Sequence, residues 1–313
     1  MGFVAYCHQQ LALPDYKTIY TPLMNDLEAL SPQDIDTILD EDEPTYNWLV
    51  PGVLEFGDRT IVTGGEGGGK STLLRQMGVQ VALGVHPFTL EPMEPRKVLH
   101  IDLENPRRAV KREYNKIIES AGVARPTEHL FISRYPQGID LSVQVYVDAL
   151  TIILKGIKPD LVIIGPKYKM GFDVVKEEDS KQLAMLLDSW RIAFDFALII
   201  EDHQPHWVNT NDKGFRPERP FGSSMWMRWP EFGLCLEKEG TLRPWRGFRD
   251  SDREWPTKLN RGDDWLWRLD GRLCIKCGRE LGPRQEKYCS EKCGNAARVQ
   301  KHRMSQGITR PLL

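Results

Sequence analysis

The segment Gly64-Gly65-Glu66-Gly67-Gly68-Gly69-Lys70-Ser71-Thr72 carries the spacing G-x-x-x-x-G-K-S. Successive glycines let backbone N–H groups curl around an anion, and a helix beginning at Lys70 would point its positive end at the same place. Lys70 then neutralises the β- and γ-phosphates of a nucleotide, and the Ser71 hydroxyl is the expected Mg²⁺ ligand. A flexible glycine linker would need neither Lys-Ser-Thr at its end nor an apolar strand before it. The segment is read as a phosphate-binding loop.

Other residues have the right chemistry to complete such a site. Glu104 follows the apolar run Val98–Leu103 and is the candidate for polarising an attacking water. The apolar run Leu161–Ile164 lies where such sites usually end in a metal-holding Asp, but here it ends in Gly165-Pro166. Asp160 stands at the wrong end of that run, which leaves Asp102, Glu104 and Asp202 as candidates to assist Ser71. His203, with His206 as second choice, is placed to sense the γ-phosphate. The segments 167–178 and 205–221 interleave Lys167, Lys169, Lys213, Arg216 and Arg219 with Tyr168, Trp207 and Phe215. That mixture suits a single nucleic-acid strand, through charge and base stacking. Arg246 and Arg249 suit a nucleotide held by a neighbouring subunit, or else phosphate contacts or plain surface charge. Finally, Cys274-x2-Cys277 and Cys289-x3-Cys293 match a four-thiolate Zn²⁺ site, followed by a basic segment to Arg303.

The elements that must position these residues are legible from periodicity. Strands are expected at 59–63, 97–103, 130–133, 161–164 and 196–200, and helices at 71–83, 105–121, 142–155 and 180–194. Ser31 with Pro32 is read as the start of a further short helix. Alternation of this kind gives an α/β fold with a parallel sheet covered on both faces. The segments 232–237 and 242–248, joined through Gly240, read as a late antiparallel hairpin.

Composition excludes several classes. Hydrophobic residues make up 41% and charged residues 27% of the 313, ordinary values for a globular protein. No apolar run approaches the roughly 18–20 residues of a membrane span, and the first residues lack a secretory pattern, so a cytoplasmic location is expected. The net charge of −2 hides an asymmetry. From Thr241 onward there are 17 Lys and Arg against 9 Asp and Glu, a surplus of eight, so the rest carries −10. A basic end points towards nucleic acid.

Together these residues resemble the RecA/DnaB-like P-loop ATPases of the AAA type, and most nearly the RepA-type hexameric replicative helicases of plasmids and phages. The resemblance runs from Trp48 to Trp267. It rests on Asn47–Gly52 leading into the loop, on Asp102-Leu103-Glu104-Asn105, on the Gly165-Pro166 strand end and on Gly222-Ser223-Ser224. It implies a RecA-like core, placed at 46–268 after an N-terminal segment 1–45; beyond it the cysteine spacing marks a zinc ribbon with basic helix at 269–303 and a tail at 304–313. It implies ATP and Mg²⁺ bound by Gly64 to Thr72, Glu104 as the water-polarising group, and His203 coupling ATP to the strand-binding loops. It also implies Arg246 and Arg249 acting across a subunit interface in a hexameric ring. Single-stranded DNA and replication proteins are the implied partners, with a RecA-like recombination ATPase or a weakly hydrolysing helicase loader as alternatives. The family's metal-holding Asp falls on Gly165. The zinc ribbon lies outside the resemblance, and it makes a direct prediction. Metal analysis of protein purified without chelators should find stoichiometric zinc, and its absence would remove the proposal.

Overall fold

A computed structural model describes residues 32, 34–40, 46–205, 218–247, 253–262, 266–269, 288, 290–295 and 298. The chain divides into two compact units, 1–46 and 47–313. In the first, the described helix α1 spans Ile35–Leu39. Its cap is Asp34, whose carboxylate accepts from the N–H groups of Asp36 and Thr37. The described helix therefore starts from Asp34, and Ser31 lies outside the described residues. Pro32 is not in the helix, and an aspartate satisfies the orphan N–H groups as well as a serine would.

The second unit opens with a short hairpin, β1 (Trp48–Val50) and β2 (Leu54–Glu55). There follow β3 (Arg59–Gly64), α2 (Lys70–Ala82), β4 (Val98–Asp102), α3 (Arg107–Ala121), β5 (Leu130–Arg134), α4 (Gln144–Ile157) and β6 (Leu161–Gly165). A 3-10 turn at Lys167–Lys169 leads to α5 (Glu177–Phe194) and β7 (Ala197–Glu201), then α6 (Met225–Arg228). The remaining strands are β8 (Phe232–Leu236), β9 (Leu242–Arg246), β10 (Leu259–Arg261) and β11 (Trp267–Leu269).

Seven strands form one sheet in the order β5-β4-β6-β7-β3-β8-β9. All its pairings are parallel except β8 with β9. The expected parallel core and late antiparallel hairpin are both present. Strands β4, β6, β7 and β8 are buried along their whole length, because helices cover both faces.

Period-two alternation sorts each strand between two cores. Val62, Val98, Leu161, Ile163, Ala197 and Ile199 pack with Leu73, Leu74 and Met77 of α2. Ile61, Leu99, Ile101, Val162, Ile164, Leu198 and Ile200 face the other way, against Leu150 and Leu154 of α4 and Leu183 and Leu187 of α5. On the α2 side, Gly78 lets the helix sit close to the sheet, since a Cβ there would already be 3.5 Å from Ile163 and Val98. Helix α3 leans on α2 through Val110, Tyr114 and Ile117 around Val79, and ends where Gly122 turns left-handed.

Beneath α2 lies a buried polar cluster. His100 Nδ1 is 2.5 Å from the Tyr114 hydroxyl, and Arg75 reaches Asp102 at 3.0 Å. Burial, with Arg75 nearby, pushes the His100 imidazole down to about 4. Between the ordinary histidine value near 6.5 and this depressed one, the unfolded chain binds the extra proton and the folded chain does not. Stability therefore falls as pH drops through that window. The loss should reach ~2 kcal/mol by pH 5, read as a falling urea midpoint, with a shallower fall in His100→Gln.

Candidate active site

The loop from Gly64 to Gly69 joins the C-terminal end of β3 to α2, at the edge where β4, β6 and β7 also end. The N–H of Gly68 donates to the Gly65 carbonyl, which folds the loop back on itself. The Lys70 ammonium donates to the carbonyls of Gly64 at 2.8 Å and Gly65 at 3.2 Å, so the cation is held over the loop. Glu66 and Gly67 are exposed at its tip, and Ser71 and Thr72 are half-buried in the first turn of α2.

Gly69 needs its freedom twice over. Its φ of 92° is left-handed, and a Cβ would lie 2.7 Å from the Trp267 ring. Trp267 is the residue that fixes this turn from behind. Its indole N–H donates to the Gly69 carbonyl at 2.9 Å, and its backbone exchanges two hydrogen bonds with the Gln76 side chain. Sequence reasoning did not assign Trp267 to the site; nothing in its spacing links it to a loop two hundred residues earlier.

Glu104 is exposed just beyond β4. Asp102 presents it by accepting from the N–H groups of Glu104 at 3.0 Å and Asn105 at 2.8 Å. Although burial works against it, those N–H groups and Arg75 hold the Asp102 carboxyl below its usual range. Asp102 is therefore committed to Arg75 and the turn. Asp202 is likewise committed, to Lys167 at 2.9 Å, with both side chains essentially inaccessible. Neither is free to assist Ser71 with a metal.

Lys167 also donates to the Phe221 carbonyl and lies over the Trp226 ring. This corrects its reading as a strand-binding residue, because burial removes it from any polyanion. Lys169 is tied to the Pro136 carbonyl at 3.0 Å, while Tyr168 remains 46% exposed. Partial burial and the Glu104 carboxylate beside it push the Tyr168 phenol up. The Tyr168 ring also lies 5.7 Å from that of His203. His203 is thus next to Tyr168, whereas Gln204 approaches the loop, its Oε1 3.7 Å from where a Cβ on Gly65 would sit.

At Gly165 the absence of a side chain has a cause. A Cβ there would lie 2.5 Å from Glu201 Cβ and 2.9 Å from the Glu201 carbonyl. Glu201 is 8% exposed, and the Ser71 hydroxyl donates to its Oε1 at 2.7 Å. Hydroxyl and carboxylate oxygens are the donor set that Mg²⁺ takes, so the residues present fit that ion. Sequence reasoning passed over Glu201. Counting alternate residues would have found it, since Ala197, Ile199 and Glu201 share a face with Leu161, Ile163 and Gly165.

Arg246 lies on β9, and its guanidinium donates to the Met227 carbonyl at 2.8 Å and the Arg228 carbonyl at 2.5 Å. Arg249, His206, Trp207, Lys213, Phe215 and Arg216 lie outside the described residues. So do Cys274, Cys277 and Cys289. Cys293 is half-buried, with its N–H donating to the Ser290 hydroxyl. Among the described residues no group of three or more His, Cys, Asp and Glu side chains is arranged to hold a metal, and no helix is long and apolar enough to cross a membrane.

Residues 25–206 match the family described as AAA domain, over more than half of the chain. The chain belongs to the AAA domain family. No curated protein matches it. Among solved structures, a KaiC-like protein from the hyperthermophilic archaeon Pyrococcus horikoshii OT3 is 15% identical, with a TM-score of 0.47. That alignment covers 72% of this chain and 95% of the other. As an AAA domain protein the chain is a P-loop ATPase, and the matched segment holds Lys70, Ser71, Glu104 and Glu201, though not Trp267.

Trp267→Ala should therefore reach beyond stability. Emptying that site should cost about 3–5 kcal/mol in urea unfolding. It should also weaken binding of a fluorescent ATP analogue, because Gly69 loses its support. Unchanged nucleotide affinity in the folded variant would leave Trp267 a packing residue only.

Proposed function

We propose that this protein is an ATP-driven motor on single-stranded DNA, of the replicative helicase type, working as a ring of identical subunits. The observation that carries the reading is the placement of Glu104. It is presented at the sheet edge by Asp102 and contacts Tyr168, which opens the loop after β6 and meets His203 at the end of β7. A water-polarising carboxylate linked through Tyr168 to both strand ends gives hydrolysis a mechanical output. The segment after β7 carries Lys213, Arg216 and Arg219 with Trp207 and Phe215, a composition that suits a polyanion with stacked bases.

In this scheme Lys70 leaves its two carbonyls to neutralise the nucleotide's phosphates, and Ser71 would hold Mg²⁺, which would supply further positive charge there. Glu104 orients water for attack on the γ-phosphate. Arg246 or Arg249 completes the neighbouring subunit's site; for Arg246 that role requires giving up the carbonyls of Met227 and Arg228. The cysteine pairs would hold zinc, which would give the basic segment after them a fixed base.

ATPase activity should rise with single-stranded DNA and disappear in Lys70→Ala. Glu104→Gln should lower turnover by roughly 10²-fold or more while retaining ATP binding. Survival of ATPase in Lys70→Ala would sink the assignment. Unwinding of a forked duplex separates a helicase from a recombination ATPase, which would pair strands without opening them. Turnover at background with ATP bound would instead favour a loader.

A further inference from the structure

We propose that Glu201 supplies the carboxylate that positions the nucleotide's Mg²⁺ beside Ser71, so that β7 provides what Gly165 on β6 does not. This rests on the nucleotide-binding reading above and adds a residue to it.

Three observations carry the assignment. The first is register. Gly165 ends β6 and Glu201 ends β7, with Ile164 opposite Ile200 in the parallel pair. Both terminal residues follow the parity of Leu161, Ile163, Ala197 and Ile199, which face α2. Their side-chain positions therefore compete for one space beneath the first turn of that helix. Glu201 holds it, and Gly165 yields it.

The second is contact. Ser71 is the P-loop residue expected to bind the metal, and its hydroxyl donates to Glu201 at 2.7 Å. Strand β7 is hydrogen-bonded directly to β3, with Glu201 opposite Val62, whereas β6 lies one strand further out. A glutamate on the nearer strand thus reaches Ser71 directly.

The third is charge. A carboxylate that is 8% exposed ordinarily has a paired cation or a metal. Among the described residues no lysine, arginine or histidine forms an ion pair with Glu201. The neighbouring acids differ, because Asp102 has Arg75 and Asp202 has Lys167. Among the buried acids described at this edge, Glu201 is the one left to answer a divalent cation.

The test uses the full chain with Mn²⁺ as a paramagnetic probe and a non-hydrolysable fluorescent ATP analogue. Glu201→Gln keeps the shape and the bond to Ser71, so it should bind the analogue in EDTA as the wild type does. Its Mn²⁺ affinity in the presence of the analogue should fall by roughly tenfold or more. Gly165→Asp alone should lower the melting temperature, since Glu201 blocks the new side chain. Joined to Glu201→Gly, it should fold and recover Mn²⁺ affinity relative to Glu201→Gly alone. Wild-type Mn²⁺ affinity in Glu201→Gln overturns the proposal, as does a folded double variant that recovers none. If the wild type fails to bind the analogue even with Mn²⁺, the nucleotide reading itself falls, and this assignment with it.

Discussion

Parallel strands that end side by side under one helix have very little room for charge, and that restriction governs this site. Strands β4, β6, β7 and β3 all deliver their last residues to the underside of α2, and alternation lets only one residue in two point there. A buried carboxylate in such a place needs a partner within reach. Asp102 has Arg75 from α2 itself, and the bond also sets the turn that carries Glu104 outward. Asp202, one residue past the end of β7, is answered by Lys167 from the loop after β6. These two matched pairs hold both strand ends in place. Glu201, between them, has a hydroxyl in place of a cation.

Most of the scaffold was legible because its signals are local. Apolar runs of five residues, glycine at helix ends and 3.6-residue periodicity are set by neighbours in sequence, and the strands and helices of the core lie close to where those patterns put them. The P-loop was legible for the same reason, since its glycines, Lys70 and Ser71 are contiguous. What escaped depends on neighbours in space. Gly165 looked like a missing ligand until Glu201 was seen filling the place of its side chain. Lys167 looked like a surface cation in a basic-aromatic loop, and is instead wholly enclosed by Asp202, Trp226 and the Phe221 carbonyl. Charge type can be read from sequence, but whether a charge faces water cannot.

The same distinction shows in the turn after β6. The turn after β6 is rigidified by Lys167 and Lys169, both anchored to backbone carbonyls, which leaves Tyr168 as its projecting side chain. An anchored turn with one protruding aromatic transmits position well, because nothing in it yields before the aromatic moves. Tyr168 touches both Glu104 and His203, so those two residues are joined through a stiff element and not through solvent.

Trp267 gives the fold an unexpected dependence. The AAA match ends at residue 206, yet the turn that cradles phosphate is braced by an indole from β11, sixty-one positions further along the chain. Loop and brace are therefore thermodynamically reciprocal: an event at β11 that alters its grip on Gly69 alters phosphate affinity by the same factor with which phosphate alters that event. The last described strand before the cysteine-rich segment thus shares in the energetics of the loop.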